Sequence, residues 1–219
     1  MLQIIPFKKY TGKDNMDFDV GLFNKLEQGQ IGPTLRLYGW QKPCISLGYS
    51  QKPDEELYLD NCIKCDIEVI KRPTGGGIVF HNEFELTYSL VCDKDDPKLP
   101  KGLISSYKAI SGLIIDALRA AGVPAELSDT RHNKQARLCF SFPASYEITL
   151  KGCKIVGSAQ KRGKKALLQQ GSIFIRSNGM KTSDLVKNGA AFKAIEDILG
   201  INFNREALIN ALVRTFCTF

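Results

Sequence analysis

The chain has 219 residues, 43% of them hydrophobic and 24% charged, as is typical of one folded domain with or without a small appendage. No apolar run approaches the roughly 18 residues of a membrane-spanning helix, and the N-terminus lacks the order of a secretory signal. We therefore expect a cytoplasmic protein without membrane contact, whose formal charge of +7 favours an acidic partner such as nucleic acid or a carrier protein.

Apolar periodicity and the positions of glycine and proline predict the elements of the chain in order. They predict helices over 14–28, 53–65 and 103–121, and short helical pieces from about residue 182 onward. They predict strands over 34–40, 44–48, 67–70, from 78, over 85–91, 146–150, 154–156, 166–169 and 172–175. This order indicates an α+β fold, in which helices flank a mainly antiparallel or mixed β-sheet.

A run of three glycines, Gly75 to Gly77, lies between two predicted strands. Glycine weakens a strand, so the run indicates unusual backbone dihedrals or close approach of the main chain to a ligand. Arg72 precedes it and His81 follows it, which suits an acyl or phosphorylated ligand; the alternative is a glycine-rich hairpin with an incidental arginine. The run is not a P-loop, which needs Gly-Lys-Ser/Thr, nor a dinucleotide fingerprint, which must open a helix.

Cys139 and Lys154 are the residues that we considered for nucleophilic chemistry. Cys139 stands among bulky apolar residues, where a thiol is most often buried and inert. Lys154 begins the apolar segment 154–160, and a lysine in that position most often extends to water. If its ammonium faced Cys139 instead, it would lower the thiol pKa from about 8.5, and the pair would become a nucleophile with a proton-transfer partner.

The other reactive or charged clusters favour structural roles. The chain has seven scattered cysteines, an odd number without a secretion signal, so we expect free thiols. Cys62 and Cys65 form a CxxC, but no second pair or nearby histidine completes a zinc set, so we predict no metal site. Residues 161–165, KRGKK, read as a solvated hairpin tip, and the scarcity of interleaved aromatic residues argues against nucleic acid.

Three separated motifs carry a resemblance to a known family. Residues 71–81, KRPTGGGIVFH, resemble the R-R-x-T-G-G-G-x-V-x-H signature of the lipoate–protein ligase and octanoyltransferase family. Residues 154–160, KIVGSAQ, are similar to its K-(I/V)-x-G-S-A-Q segment, and residues 34–51 resemble the strand pair before the signature. The likeness extends from about residue 15 to 176. It implies the catalytic fold shared by biotin and lipoate protein ligases, as a single acyltransferase domain over 1–219 with a helical C-terminal segment from about 182.

The resemblance also implies roles for matching positions. The implied acyl-binding residues are Arg72, Thr74, Gly75, Gly76, Gly77, His81, Gly157, Ser158 and Ala159. Lys154 would meet the acyl carbonyl as a catalytic residue. Cys139-Phe140-Ser141, followed by Ser145-Tyr146-Glu147, resembles the octanoyltransferase branch that uses a catalytic cysteine. The chain departs from the family at Lys71, which replaces an arginine, and at Gln170-Gly171, where many relatives have His-Gly.

The implied reaction is octanoyl transfer in lipoate biosynthesis by a monomer. The donor would be octanoyl-acyl carrier protein, the acceptor a lysine of a lipoyl domain or glycine-cleavage H protein, and the intermediate a Cys139 thioester. No cofactor is expected on this route. The alternatives are an ATP-dependent lipoate–protein ligase, which would need ATP and magnesium, and an amidotransferase between protein domains. A silent basic protein that binds a carrier protein is the alternative without catalysis.

Overall fold

The computed structural model describes residues 1–128, 146–187 and 193–218. The helices of these residues are α1 (Gly12–Glu27), α2 (Pro53–Glu56), α3 (Leu59–Lys64), α4 (Leu103–Ala120), α5 (Ile195–Leu199) and α6 (Arg205–Phe216). Their strands are β1 (Gln3–Tyr10), β2 (Thr34–Trp40), β3 (Cys44–Leu47), β4 (Glu68–Lys71), β5 (Val79–His81), β6 (Leu86–Asp93), β7 (Glu126–Leu127), β8 (Ile148–Leu150), β9 (Cys153–Arg162) and β10 (Ala166–Ile173).

The strands form two mixed sheets. The larger sheet has the order β1-β2-β6-β10-β9-β8-β7 within the described residues. Its β1–β2 pair is parallel and the other pairs are antiparallel. The smaller sheet has the order β4-β3-β5, with β3 parallel to β4 and antiparallel to β5. The α+β class with a mixed sheet and flanking helices is therefore confirmed.

Helices cover both faces of the larger sheet. Successive side chains of a strand point to opposite faces, so one strand can contribute apolar residues to both. On β10, Leu167 packs into the main core with α4 and α6, whereas its neighbour Leu168 packs with Phe23 and Leu26 of α1. The apolar residues of α4 recur at three- and four-residue spacing, so one side of the helix is buried. No helix of the described residues is long and apolar enough to cross a membrane.

The smaller sheet has its own apolar core, and the Gly12 N–H of α1 donates a 2.8 Å hydrogen bond to Glu68 Oε2 of β4. Ile45 and Leu47 of β3 pack with Ile78 and with Leu185, which comes from far along the chain. The Thr74 hydroxyl, just before the glycine run, donates a 3.0 Å hydrogen bond to Gln170 Oε1 of β10. The glycine run is thereby fixed above β9 and β10, and a cavity lies between the two sheets.

Several predicted elements need correction. Strand β1 was not predicted; it is an edge strand, whose register shift between Ile5 and Lys8 accommodates Pro6. The helix predicted over 53–65 is two short helices, because Leu57 between them is extended and buried against the smaller sheet's core. The two segments predicted over 166–175 form one strand, β10, and β9 runs on to Arg162. Of residues 161–165, predicted as a hairpin tip, Lys161 and Arg162 end β9 and residues 163–165 form the β9–β10 turn.

Candidate active site

A cavity of about 230 Å³ lies between the two sheets. Buried side chains line one part of it, which we call the closed end: Tyr38 and Trp40 are fully buried and Thr87 is 3% exposed. Its other end reaches the surface beside Gly76, which is exposed, and Lys154, whose side chain is 20% exposed. The cavity therefore has a buried part and a part that reaches solvent, which we call the mouth, an arrangement that suits a ligand with an apolar tail and a head group facing water.

Arg72 braces the glycine run from inside the protein. Its guanidinium donates to the carbonyl oxygens of Ser46, Gly75 and Gly77 at 3.0, 2.8 and 2.5 Å. Burial lowers the pKa of Arg72 to about 10. Gly76 has a φ of +90°, which favours glycine. Because its guanidinium donates to these backbone carbonyls, Arg72 holds the glycine run in place and so shapes the wall of the cavity.

His81 belongs to a buried polar cluster at the closed end. Its Nε2 lies 2.7 Å from Ser46 Oγ, and its Nδ1 lies 2.7 Å from Glu85 Oε1. The imidazole stacks on Trp40 at 3.8 Å between ring centroids. Thr87 Oγ1 donates to the same Glu85 oxygen and accepts from Trp40 Nε1. Both ring nitrogens of His81 therefore have protein partners, and the ring is held as part of the wall.

A second buried cluster joins α1 to the cavity through Gln170. Asp19 accepts hydrogen bonds from Arg36 at 2.8 Å, Tyr38 at 3.0 Å and Gln170 Nε2 at 2.7 Å. The Gln170 side chain thus donates through its amide nitrogen to Asp19 and accepts through its amide oxygen from Thr74. Burial and the neighbouring Asp19 carboxylate raise the pKa of Tyr38 well above its ordinary value. Gln170 therefore links the glycine run to α1 through Thr74 and Asp19.

Lys154 and Glu147 form an ion pair at the mouth. Lys154 Nζ donates to Glu147 Oε1 at 2.8 Å, and the two side chains are 20% and 13% exposed. Burial raises the pKa of Glu147, and Lys154 opposes that effect only in part. A cation that water reaches only partly, at the head of a chain-shaped cavity, can stabilise negative charge developing on a carbonyl oxygen or a sulfur.

Ser158 of β9 and Gly171 of β10 form a further part of the cavity wall. Ser158 Oγ lies 2.9 Å from the Tyr88 hydroxyl, which also accepts from Gln169 Nε2. Burial raises the pKa of Tyr88 to about 12, so the hydroxyl keeps its proton. A Cβ added at Gly171 would lie 2.3 Å from the Tyr88 ring. Only glycine fits at that point, because Tyr88 crosses directly over the backbone of β10.

The structure brings together nearly all of the described residues that the sequence singled out. The cavity is lined by Arg72, Thr74, Gly76, Gly77, His81, Lys154, Gly157, Ser158 and Ala159. Gly75 is not among the lining residues; its carbonyl instead accepts from Arg72. Cys139 falls outside the described residues.

Sequence reasoning did not assign a role to ten other lining residues: Met16, Tyr38, Trp40, Ser46, Val79, Thr87, Glu147, Gln170, Gly171 and Ser172. For Glu147, the available signal was its place in the Ser145-Tyr146-Glu147 motif. For Tyr38, Trp40 and Ser46 it was their position in the strand pair before the glycine signature.

A mixed sheet, a smaller sheet beside it and a cavity between them match the lipoate protein ligase fold. The lipoic-acid complex of protein Ta0514 from T. acidophilum superposes on this chain with a TM-score of 0.80 at 23% identity. The superposition covers 99% of this chain and 84% of that one.

The chain belongs to the lipoyl protein ligase A/B catalytic-domain family, whose model matches residues 11–217. It is 37% identical to octanoyltransferase LipM of Carboxydothermus hydrogenoformans over 94% of this chain and 76% of that relative. It is also 37% identical to octanoyltransferase LipM of Clostridioides difficile, over 84% of this chain and 69% of that protein. The resemblance carried by the glycine run and the Lys154 segment is confirmed, and so is the prediction of an enzyme.

Proposed function

We propose that this protein transfers an octanoyl group to a protein lysine in lipoate biosynthesis. The donor is octanoyl-acyl carrier protein, and the acceptor is a lipoyl domain or glycine-cleavage H protein. The observation that carries the proposal is a cavity closed by Tyr38 and Trp40 at one end and bordered by the Lys154 ammonium at the other. An apolar tail fits the closed end, and its reacting carbonyl then lies at the mouth. The curated relatives named octanoyltransferase support the same activity.

The first step is thioester exchange on Cys139. The thiolate attacks the octanoyl carbonyl, a new carbon–sulfur bond forms, and the carrier's thiol leaves with the proton that Cys139 lost. Because one thioester replaces another of similar energy, this step needs no ATP and no other cofactor. Lys154 favours the thiolate and stabilises the oxyanion. The role of Cys139 rests on its place in the family's cysteine motif.

The second step is aminolysis of the acyl-enzyme. The ε-amine of the acceptor lysine attacks the carbonyl, the carbon–sulfur bond breaks, and a more stable amide forms. An amidotransferase that moves the octanoyl group between two protein domains would use the same chemistry with an amide donor. We place the reaction in the cytoplasm and assign it to a monomer.

The test is octanoylation of a lipoyl domain with octanoyl-acyl carrier protein as donor, with and without ATP. We expect full transfer without ATP, loss of transfer in Cys139→Ser, and retention in the control Cys217→Ser, whose thiol is exposed. Pyrophosphate release from free octanoate or lipoate and ATP, with Cys139→Ser still active, would instead identify an ATP-dependent ligase.

A further inference from the structure

Glu147 has one carboxylate oxygen without a partner in the described part of the chain. Its Oε1 accepts the hydrogen bond from Lys154, but its Oε2 is buried and receives no hydrogen bond there. A buried carboxylate oxygen left unpaired is costly, so native proteins seldom keep one without a ligand or a function to satisfy it. The unpaired oxygen therefore calls for a donor that lies outside the described residues.

The position of Glu147 says what kind of donor that is. Glu147 lines the cavity together with Lys154, and both side chains are partly exposed, unlike the fully buried Tyr38 and Trp40. A chain-like acyl group that fills the closed end brings its carbonyl to this pair. The donor that arrives at the carbonyl during aminolysis is a lysine ammonium, a cation with three N–H groups. A buried carboxylate oxygen is a complementary acceptor for it.

We propose that Glu147 Oε2 binds the ammonium of the acceptor lysine and takes the proton that must leave before the amine can attack. This assignment rests on the proposed octanoyl transfer and adds to it a proton acceptor distinct from Lys154. Glu147 is then a catalytic residue, since it contacts the reacting nitrogen.

The protons of the step balance with this assignment. The acceptor ammonium carries three hydrogens and the amide product keeps one. The first surplus proton passes to Glu147 Oε2, which frees the nitrogen lone pair to form the carbon–nitrogen bond. The second leaves the nitrogen as the carbon–sulfur bond breaks, and it travels to the departing sulfur through Lys154. Glu147 afterwards releases its proton to solvent.

Proton transfer to Glu147 also changes the electrostatics of Lys154. While Glu147 is ionised, the two side chains neutralise each other at 2.8 Å. Once Glu147 is protonated, the Lys154 ammonium has lost that counter-charge at the moment when negative charge develops on the carbonyl oxygen and the sulfur. In the aminolysis step, the pair thus presents an unpaired cation once an acceptor has bound and lost its proton.

The surroundings of Glu147 suit a proton acceptor. Among the described residues, the groups that interact with it from the packed elements are Lys154 of β9, Tyr88 of β6 and Tyr107 of α4. Burial raises the pKa values of both phenols, so they remain neutral, and burial also raises the pKa of Glu147. A carboxylate whose pKa lies above its ordinary value is a stronger base towards an ammonium than an exposed one.

The experiment compares Glu147→Gln with wild type, using octanoyl-acyl carrier protein as donor and two nucleophiles. One is a lipoyl domain, whose lysine arrives charged; the other is hydroxylamine, which is uncharged near neutral pH and needs no proton acceptor before attack. At pH 7 we expect Glu147→Gln to lose about 10²–10³-fold in the rate with the lipoyl domain. With hydroxylamine, after subtraction of the uncatalysed rate, it should stay within about threefold of wild type. Glu126→Gln, an exposed neighbour on β7, is the matched control.

The pH profile separates a proton acceptor from a structural residue. Wild type should level off above the pKa of Glu147, because the enzyme itself deprotonates the bound ammonium. Glu147→Gln should rise about tenfold per pH unit towards the lysine's own pKa near 10.4, because only the free amine then reacts. Equal losses with both nucleophiles, a flat profile in the variant, or full activity with the lipoyl domain would each overturn the assignment. Failure of the octanoyl-transfer proposal is a different result, namely no transfer by wild type to either nucleophile.

Discussion

Lys154 and Glu147 hold opposite charges 2.8 Å apart at the mouth of a cavity that water reaches only in part. Both residues line the cavity. The value of the pair lies in chemistry, where a partly buried cation stabilises developing negative charge far better than an exposed one.

Replacement of Lys154 by methionine keeps the length of the side chain and removes its charge. We expect Lys154→Met to reduce octanoyl transfer by about 10²–10⁴-fold, since the oxyanion and the leaving sulfur lose their cation. The midpoint of urea unfolding should fall as well, because Glu147 loses its cation, so transfer is assayed under conditions in which both proteins remain folded. The control is Lys164→Met, an exposed lysine of the β9–β10 turn, which should transfer at the wild-type rate. A Lys154→Met protein with more than a tenth of wild-type activity would remove Lys154 from the mechanism.

At the same scale, residue identity predicted the cavity better than it predicted what each side chain does there. The glycine signature located Arg72 correctly at the cavity, but the guanidinium donates to the carbonyls of Ser46, Gly75 and Gly77. Gln170 and Glu147 act through partners on other elements, Asp19 and Lys154. Such pairings depend on how strands and helices are placed in space, which sequence spacing does not report.

Among the elements, the backbone just after β3 and the backbone of the glycine run lie so close together that no side chain fits at Gly48. A Cβ added at Gly48, just after β3, would lie 2.0 Å from the Gly76 carbonyl oxygen, a backbone atom that cannot rotate away. We expect Gly48→Ala to push the glycine run into the cavity, lower octanoyl transfer and destabilise the protein by about 1–3 kcal/mol.

The matched change in an open position should have the opposite sign. Nothing lies within 4 Å of a Cβ added at Gly112, inside α4. Gly112→Ala should therefore stabilise the protein by about 0.5–1 kcal/mol, as alanine does in helix interiors. Urea unfolding of the two variants measures both values, and a Gly48→Ala protein as stable as wild type would show that the contact can relax.

Helix α1 is fixed to the larger sheet by the ion pair between Asp19 and Arg36, whose side chains are 0% and 1% exposed. Arg36→Met leaves the carboxylate buried without its cation, so we expect a loss of about 3–5 kcal/mol in the free energy of unfolding. Because Asp19 also accepts a hydrogen bond from Gln170, which in turn holds the glycine run through Thr74, the wall of the cavity should become less firmly positioned as well. Lys13→Met, which breaks the exposed pair with Asp17 on the same helix, should leave stability unchanged within error. Equal effects of the two changes would contradict the account.

Elements with strong local signals were predictable, and those decided by distant contacts were not. Helix α4 follows from its apolar spacing, and α1 from its spacing and its end near Gly29. Strand β1 was missed because Pro6 and the lysines at 8 and 9 dilute its pattern, although parallel pairing with β2 fixes it. The break between α2 and α3 comes from burial of Leu57 among residues as distant as Leu185. No local pattern marks that contact.

For the whole molecule, the net charge of +7 bears on how partners arrive. An acidic carrier protein should be steered by the opposite charge, and salt screens that attraction. We expect kcat/KM for octanoyl-acyl carrier protein to fall about tenfold between roughly 50 and 500 mM NaCl. With octanoyl-pantetheine, a small donor that lacks the acidic surface, kcat/KM should hardly change. Equal salt dependence for the two donors would rule out steering by charge.

The measurement that tests the proposed mechanism most directly is the mass of the protein after incubation with octanoyl-acyl carrier protein in the absence of ATP and acceptor. The thioester route predicts one added octanoyl group, mapped by peptide analysis to Cys139 and discharged when a lipoyl domain is added. An adduct on a different residue would contradict the route. So would a protein that stays unmodified until ATP and a free fatty acid are supplied.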